Sequence, residues 1–123
     1  MIASYDFCYF HNKGKLLTFV PYKKHKKMNV NLTAIIKSTE GNAEAMKALL
    51  LQLLAESRKE SACIQYDLHQ DQENNNVFIF HEIWESQAGL DLHNAQPHIA
   101  RFVADSASII DGPAAIHKIK KVA

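Results

Sequence analysis

From Val77 to Glu85 the chain reads VFIFHEIWE, and both alternating sets of residues in this run are dominated by apolar or aromatic side chains. In an extended strand Phe78, Phe80, Glu82 and Trp84 share one face, and Val77, Ile79, His81 and Ile83 share the other, because successive side chains alternate. A strand apolar on both sides must be covered on both sides, and that requirement governs the rest of the fold. Ser86 can cap a helix, which the spacing carries to about Asn94 with His93 near its end. An acid, a large flat ring and an imidazole therefore meet where strand passes into helix. Such a grouping suits the wall of a pocket for a flat organic molecule.

The remaining elements follow from period and punctuation. Val30 to Lys37 alternates, with Val30, Leu32, Ala34 and Ile36 on one face and Ile35 on the other. Thr39 to Asn42 breaks the strand, and Asn42 is placed to cap a helix with Glu44 in its first turn. Ala45, Met46, Leu49, Leu50, Leu53 and Leu54 recur at helical spacing and read as a core stripe, while Arg58 and Lys59 complement the carboxyl end. Ala62 to Asp71 predicts a second strand with Ile64, Tyr66 and Leu68 on one side. Residues 72–76 supply turn chemistry, so Val77 to Glu85 is its hairpin partner. Pro97 restarts a helix through about Ile109, Gly112-Pro113 breaks it, and Ala114 to Val122 predicts a fourth strand.

The order β-α-β-β-α-β with right-handed crossovers specifies an α+β, ferredoxin-like fold: a four-stranded antiparallel sheet with helices on one face. The second face, with Ile35, Val77, Ile79 and Ile83, has no helix left to cover it. A second copy packing sheet to sheet is the economical cover, so a homodimer is expected.

At 123 residues the chain suits one core domain, expected over residues 29–123. No apolar run approaches the roughly 18 residues of a membrane span. Cys8 and Cys63 form no paired motif, so a reducing, cytoplasmic setting is expected, without a disulfide framework. Residues 1–28 hold six Lys against one Asp, together with the aromatics Tyr5, Phe7, Tyr9, Phe10, Phe19 and Tyr22. Basic residues among aromatics can bind nucleic acid, but no nucleic-acid fold is recognisable, and the segment reads as an extension outside the core domain. Its aromatics would pack on the body or on a neighbouring subunit.

Three segments carry a resemblance: Glu60-Ser-Ala-Cys-Ile-Gln-Tyr66-Asp-Leu, then Phe78-x-Phe-x-Glu82-x-Trp84-Glu-Ser, then His93-Asn-Ala-Gln-Pro-His98-Ile-Ala-Arg-Phe102. Together they are similar to the antibiotic-biosynthesis monooxygenase domain, in particular its small quinol monooxygenase-like members, over roughly residues 29–121. The resemblance implies a dimeric α+β barrel and oxygenation of quinol- or phenol-type rings without flavin, haem or metal. Haem-degrading relatives place an iron-binding histidine near the position of Phe102, which cannot ligate iron.

Oxygenation without a cofactor needs an electron-rich substrate, because triplet dioxygen reacts slowly with closed-shell molecules. A deprotonated quinol can supply the first electron, so the protein must bind the ring, remove a proton and exclude water. Histidine suits the proton step near neutral pH. His93 is the expected base, with Glu82 orienting it. Trp84 and Tyr66 would pack against the substrate, and Asn94, His98 and Phe102 are further pocket candidates. Trp84 can equally be core, and Glu82 can equally find a structural partner. His93 and His98 lie five apart across Pro97, and with no third ligand evident no metal is expected. Two other functions use the same residues: proton-transfer isomerisation without oxygen, and non-catalytic binding of an aromatic molecule.

Overall fold

The computed structural model describes the backbone of Ser4–Phe10 and Thr18–Lys24 and the whole of residues 28–123. Strands β1 (Ser4–Phe10) and β2 (Thr18–Lys24) pair antiparallel as a sheet of their own, Ser4 opposite Lys24 and Phe10 opposite Thr18. The expected packing of the aromatic side chains in this segment, and the Cys8 thiol, lie outside what the structure describes.

The body follows as β3 (Val30–Lys37), α1 (Ala43–Ser57), β4 (Cys63–Gln70), β5 (Val77–Trp84), α2 (Gln87–Asn94), α3 (Pro97–Ser106) and β6 (Ala115–Ile119). The four body strands lie in the order β4-β5-β3-β6, every neighbouring pair antiparallel. This is the expected ferredoxin-like sheet, in which β3 and β5 occupy the centre. Central position explains their apolar content. Leu32, Ala34 and Ile36 of β3 and Phe78, Phe80 and Trp84 of β5 are buried against Met46, Leu50 and Leu53 of α1. Burying each large side chain contributes roughly 1.5–3 kcal/mol. The opposite face carries Ile35, Val77, Ile79 and Ile83, all only half-buried.

Local chemistry departs from the expected pattern in four places. Asn42 does not cap α1 with its side chain; its amide donates to Thr39 Oγ1 at 2.8 Å, closing the turn in which Gly41 takes a positive φ of 82°. Arg58 serves more than the helix end: it reaches β4, donating to the Tyr66 carbonyl (3.0 Å) and to Asp67 (3.0 Å). Strand β4 contains a bulge between Cys63 and Gln65, with Cys63 opposite Trp84 and Gln65 opposite Ile83. Ile64 is the extra residue, so it is 55% exposed while Tyr66 is 2% exposed, and the expectation that both share a face fails. Finally, α3 ends at Ser106 and β6 spans only Ala115–Ile119, because its pairing with β3 runs out where Ile119 faces Asn31.

Candidate active site

Two devices bring distant residues together under the helices. Ser86 Oγ accepts from the Gly89 amide at 3.1 Å and starts α2, as its sequence signal predicts. Gly89 then lies so close to the turn before β4 that an added Cβ would stand 2.5 Å from the Ala62 Cβ. Only a residue without a side chain permits that approach. The Glu85 amide also donates to the Ala62 carbonyl at 2.9 Å. The turn carrying Glu60 is thereby held against α2, which carries His93.

The second device is the break between helices. After Asn94 the chain turns, and Pro97 opens α3 with His98 in its first turn. The interruption redirects His98 toward the same point as His93. Glu60 Oε2 lies 2.6 Å from His93 Nδ1 and 2.9 Å from His98 Nε2. With Glu60 ionised it can only accept, so each of those ring nitrogens donates its own N–H. A neutral His93 then keeps Nε2 as its basic nitrogen.

His93 is 3% exposed and its ring lies 4.3 Å from that of Trp84, tilted by 34°. Tyr66 meets His93 edge-on at 5.6 Å, Trp84 edge-on at 6.0 Å, and Phe80 at 4.6 Å. Trp84 and Tyr66 thus fix the imidazole from two sides, with Phe80 packed against Tyr66. They also leave no room for a substrate ring between Trp84 and His93, so Trp84 and Tyr66, expected as substrate walls, stand here packed on the imidazole.

Glu82 is buried, but its partner is not His93. The Trp84 indole N–H donates to Glu82 Oε2 at 2.8 Å. The expected Glu82–His93 pair is thus replaced by two pairs, Glu82 with Trp84 and Glu60 with His93. Strand geometry explains the first, since residues two apart in β5 project from the same face. Glu60 is the residue the sequence reading missed as a site member. It stands in the first quoted segment, but nothing in its spacing signals contact with residues 33 and 38 positions away.

The electrostatics follow burial. Desolvation pushes the Glu82 carboxyl up to about 6, with the Trp84 indole and the Tyr66 hydroxyl pulling it back down. Burial lowers the His93 pKa, partly opposed by Glu60, so the ring tends to be neutral at neutral pH. Burial likewise raises Tyr66 well above the ordinary phenol and lifts the Cys63 thiol to about 11, with Glu60 and Glu82 adding to the latter. Neither is ionised near neutrality. The buried Ser57 hydroxyl lies by that of Tyr66 and pulls the Tyr66 pKa back down in part.

Access is through His98. It borders a cleft of about 270 Å³ between α1 and α3, shared with Gln52, Glu56, Arg101 and Phe102. It also borders a second cleft of about 350 Å³, where Glu60, Ser61, Gly89 and Gln96 contribute to the wall. Asn94 is exposed at the end of α2 and is not among the groups that converge on Glu60. Glu60, His93 and His98 each offer a donor atom within 4.8 Å of the others, so the reading that no third ligand accompanies the two histidines is corrected. Among the described residues no helix is long and apolar enough to cross a membrane.

Comparison with known proteins agrees with this architecture. The uncharacterized protein sll1783 of Synechocystis sp. is 36% identical over 88 residues, covering 72% of this chain and 59% of that protein. The alignment thus spans less than two thirds of the relative's length. The crystal structure of PA3566 from Pseudomonas aeruginosa superposes with a TM-score of 0.75 at 33% identity, covering 81% of this chain and 100% of that one. A crystal structure described as an antibiotic biosynthesis monooxygenase gives a TM-score of 0.71 at 26% identity, covering 76% of this chain and 99% of that one. The family described as antibiotic biosynthesis monooxygenase matches residues 30–105, the stretch from β3 into α3 that contains Glu60, Glu82, His93 and His98. The chain belongs to the antibiotic biosynthesis monooxygenase family.

Proposed function

We propose that this chain is a monooxygenase that oxidises small quinol- or phenol-type aromatics with dioxygen, using the His93–Glu60–His98 network for the proton step and no organic cofactor. The observation that carries the reading is the single Glu60 oxygen shared by two imidazoles, one buried and one on the cleft wall. A carboxylate between two histidines stabilises an imidazolium formed on either. His98 meets the substrate, and Phe102 and Arg101 offer a ring face and a cation beside it. His93, clamped by Trp84 and Tyr66, holds Glu60 in place from behind.

The proton step sets up the rest. His98 takes a proton from the substrate hydroxyl, and the resulting anion passes one electron to dioxygen. The radical pair recombines to a peroxide at the ring, whose O–O bond then breaks with loss of water. Overall a quinol and dioxygen give a hydroxyquinone and one water. The substrate supplies all four electrons, so no further reductant is needed. The same reading places a second copy of the chain on the open sheet face, where Ile35, Val77, Ile79 and Ile83 stand half-buried, completing a dimeric α+β barrel.

The test is oxygen uptake by metal-stripped, flavin-free protein with a panel of reduced naphthoquinols, autoxidation subtracted. Uptake is expected, falling about 10²-fold or more in His98→Ala and Glu60→Gln, in the usual range for losing an acid–base group. No uptake above autoxidation with any quinol overturns the oxygenase reading.

A further inference from the structure

We propose that Glu60, His93 and His98 also form a binding site for one divalent transition-metal ion of the zinc class. The cluster supplies two imidazole nitrogens and one carboxylate oxygen, all within 4.8 Å of one another. This donor set suits zinc and its neighbours in the first transition row, and it suits magnesium and calcium poorly. The three donors come from three separate elements: the turn before β4, the end of α2 and the start of α3. They nonetheless converge on one point, because the Gly89 contact and the Pro97 break aim them there.

Surroundings favour an ion at that point. The His93 ring is fixed by Trp84 and Tyr66, so one ligand is already oriented. Glu60 and His98 border the cleft of about 350 Å³, which leaves a fourth position open to water or a small ligand. The separations of 2.6 and 2.9 Å are those of hydrogen bonds. Ligands about 2.0–2.1 Å from a tetrahedral zinc stand roughly 3.4 Å apart. Binding therefore widens the two separations by roughly 0.5–0.8 Å, a movement the turn position of Glu60 allows.

Metal and proton relay exclude each other. To ligate through Nδ1 and Nε2, each neutral ring moves its proton to its other nitrogen, with no net proton release. His93 Nε2 then carries hydrogen and His98 has no lone pair left for a substrate. The ion is thus an occupant that closes the proton path, a consequence that rests on the proposed function, whereas binding itself does not.

The experiment is a titration of chelator-treated full-length protein with Co²⁺ followed by visible absorption, and with Zn²⁺ followed by calorimetry. The expected result is one ion per chain, a tetrahedral Co²⁺ spectrum, and at least tenfold weaker binding in both Glu60→Gln and His98→Ala. His117→Ala, on the exposed β6 strand, should bind like the parent chain and controls for surface histidines. Circular dichroism of each variant separates ligand loss from unfolding, and His98→Ala, outside the buried core, is the variant expected to fold. Binding that survives both substitutions, or no stoichiometric binding by the parent chain, overturns the site. Zinc bound in stoichiometric amount without oxygen uptake by the stripped protein would leave the site standing and remove the oxygenase reading alone.

Discussion

Neighbouring residues of β5 live in two different environments. Phe78, Phe80, Glu82 and Trp84 are buried beneath the helices, whereas Val77, Ile79, His81 and Ile83, one position away, are only half-covered. The covered face carries the carboxylate of Glu82 and the Trp84 ring on which His93 of the Glu60 network packs. The open face holds isoleucines and no comparable cluster among the described residues. One strand thus builds a polar site inside a dry core and, with its alternate residues, a surface that asks for a partner. Apolar sequence alone does not distinguish the two, since both faces read alike until the helices are placed.

Breaking the covered face should cost most. Trp84→Ala removes the largest fully buried side chain and the donor to Glu82, and is expected to lose about 3–5 kcal/mol in chemical denaturation. Ile83→Ala, its neighbour on the open face, should lose much less in the same assay at dilutions where the chain is monomeric. Equal losses would remove the contrast between the faces.

A smaller effect sharpens the electrostatics of the covered side. The Glu82 pKa is raised in the folded chain, from an ordinary value of 4.5 to about 6, so the folded state binds the extra proton over that interval. Its contribution to stability is therefore fullest below pH 4.5 and is lost as pH rises toward 6, a cost of about 2 kcal/mol at neutrality. Glu82→Gln should flatten that part of the stability–pH curve while still accepting from the indole. His93 works in the opposite direction: its lowered pKa destabilises the fold as pH drops below the ordinary histidine value. A Glu82→Gln curve parallel to that of the parent chain would show that Glu82 does not titrate in this interval.

The least change in chain stability, under about 1 kcal/mol, is expected from Ile79→Asp on the open face. Its readout is mass in solution: light scattering should give a dimer for the parent chain and a monomer for the variant. A monomeric parent chain would sink the proposed second copy.

Legibility in the sequence divides along the same line. Periods of two and 3.6, with Gly, Pro and Asn-rich breaks, were enough for every body element and their order, because local pattern and global topology agree. Cys63–Gln65 escaped because a bulge shifts the alternation without any apolar residue announcing it. Asn42 escaped because a side-chain amide can close a turn as well as cap a helix. Within the site, His93, His98, Tyr66 and Trp84 were legible as candidates, but their partners were not. Glu60 reaches His93 only because Gly89 lets a helix approach the Ala62 turn, and no spacing rule encodes a contact made by the absence of a side chain.

The stack of His93 on Trp84 has one more consequence. Trp84 is the chain's sole tryptophan, so all indole emission arises beside the imidazole at the centre of the network. A protonated imidazole in contact with an indole quenches its fluorescence, and a displaced ring changes it again. The chain therefore carries its own optical gauge, in which light from a single residue follows the charge and occupancy of the imidazole beside it without any added label.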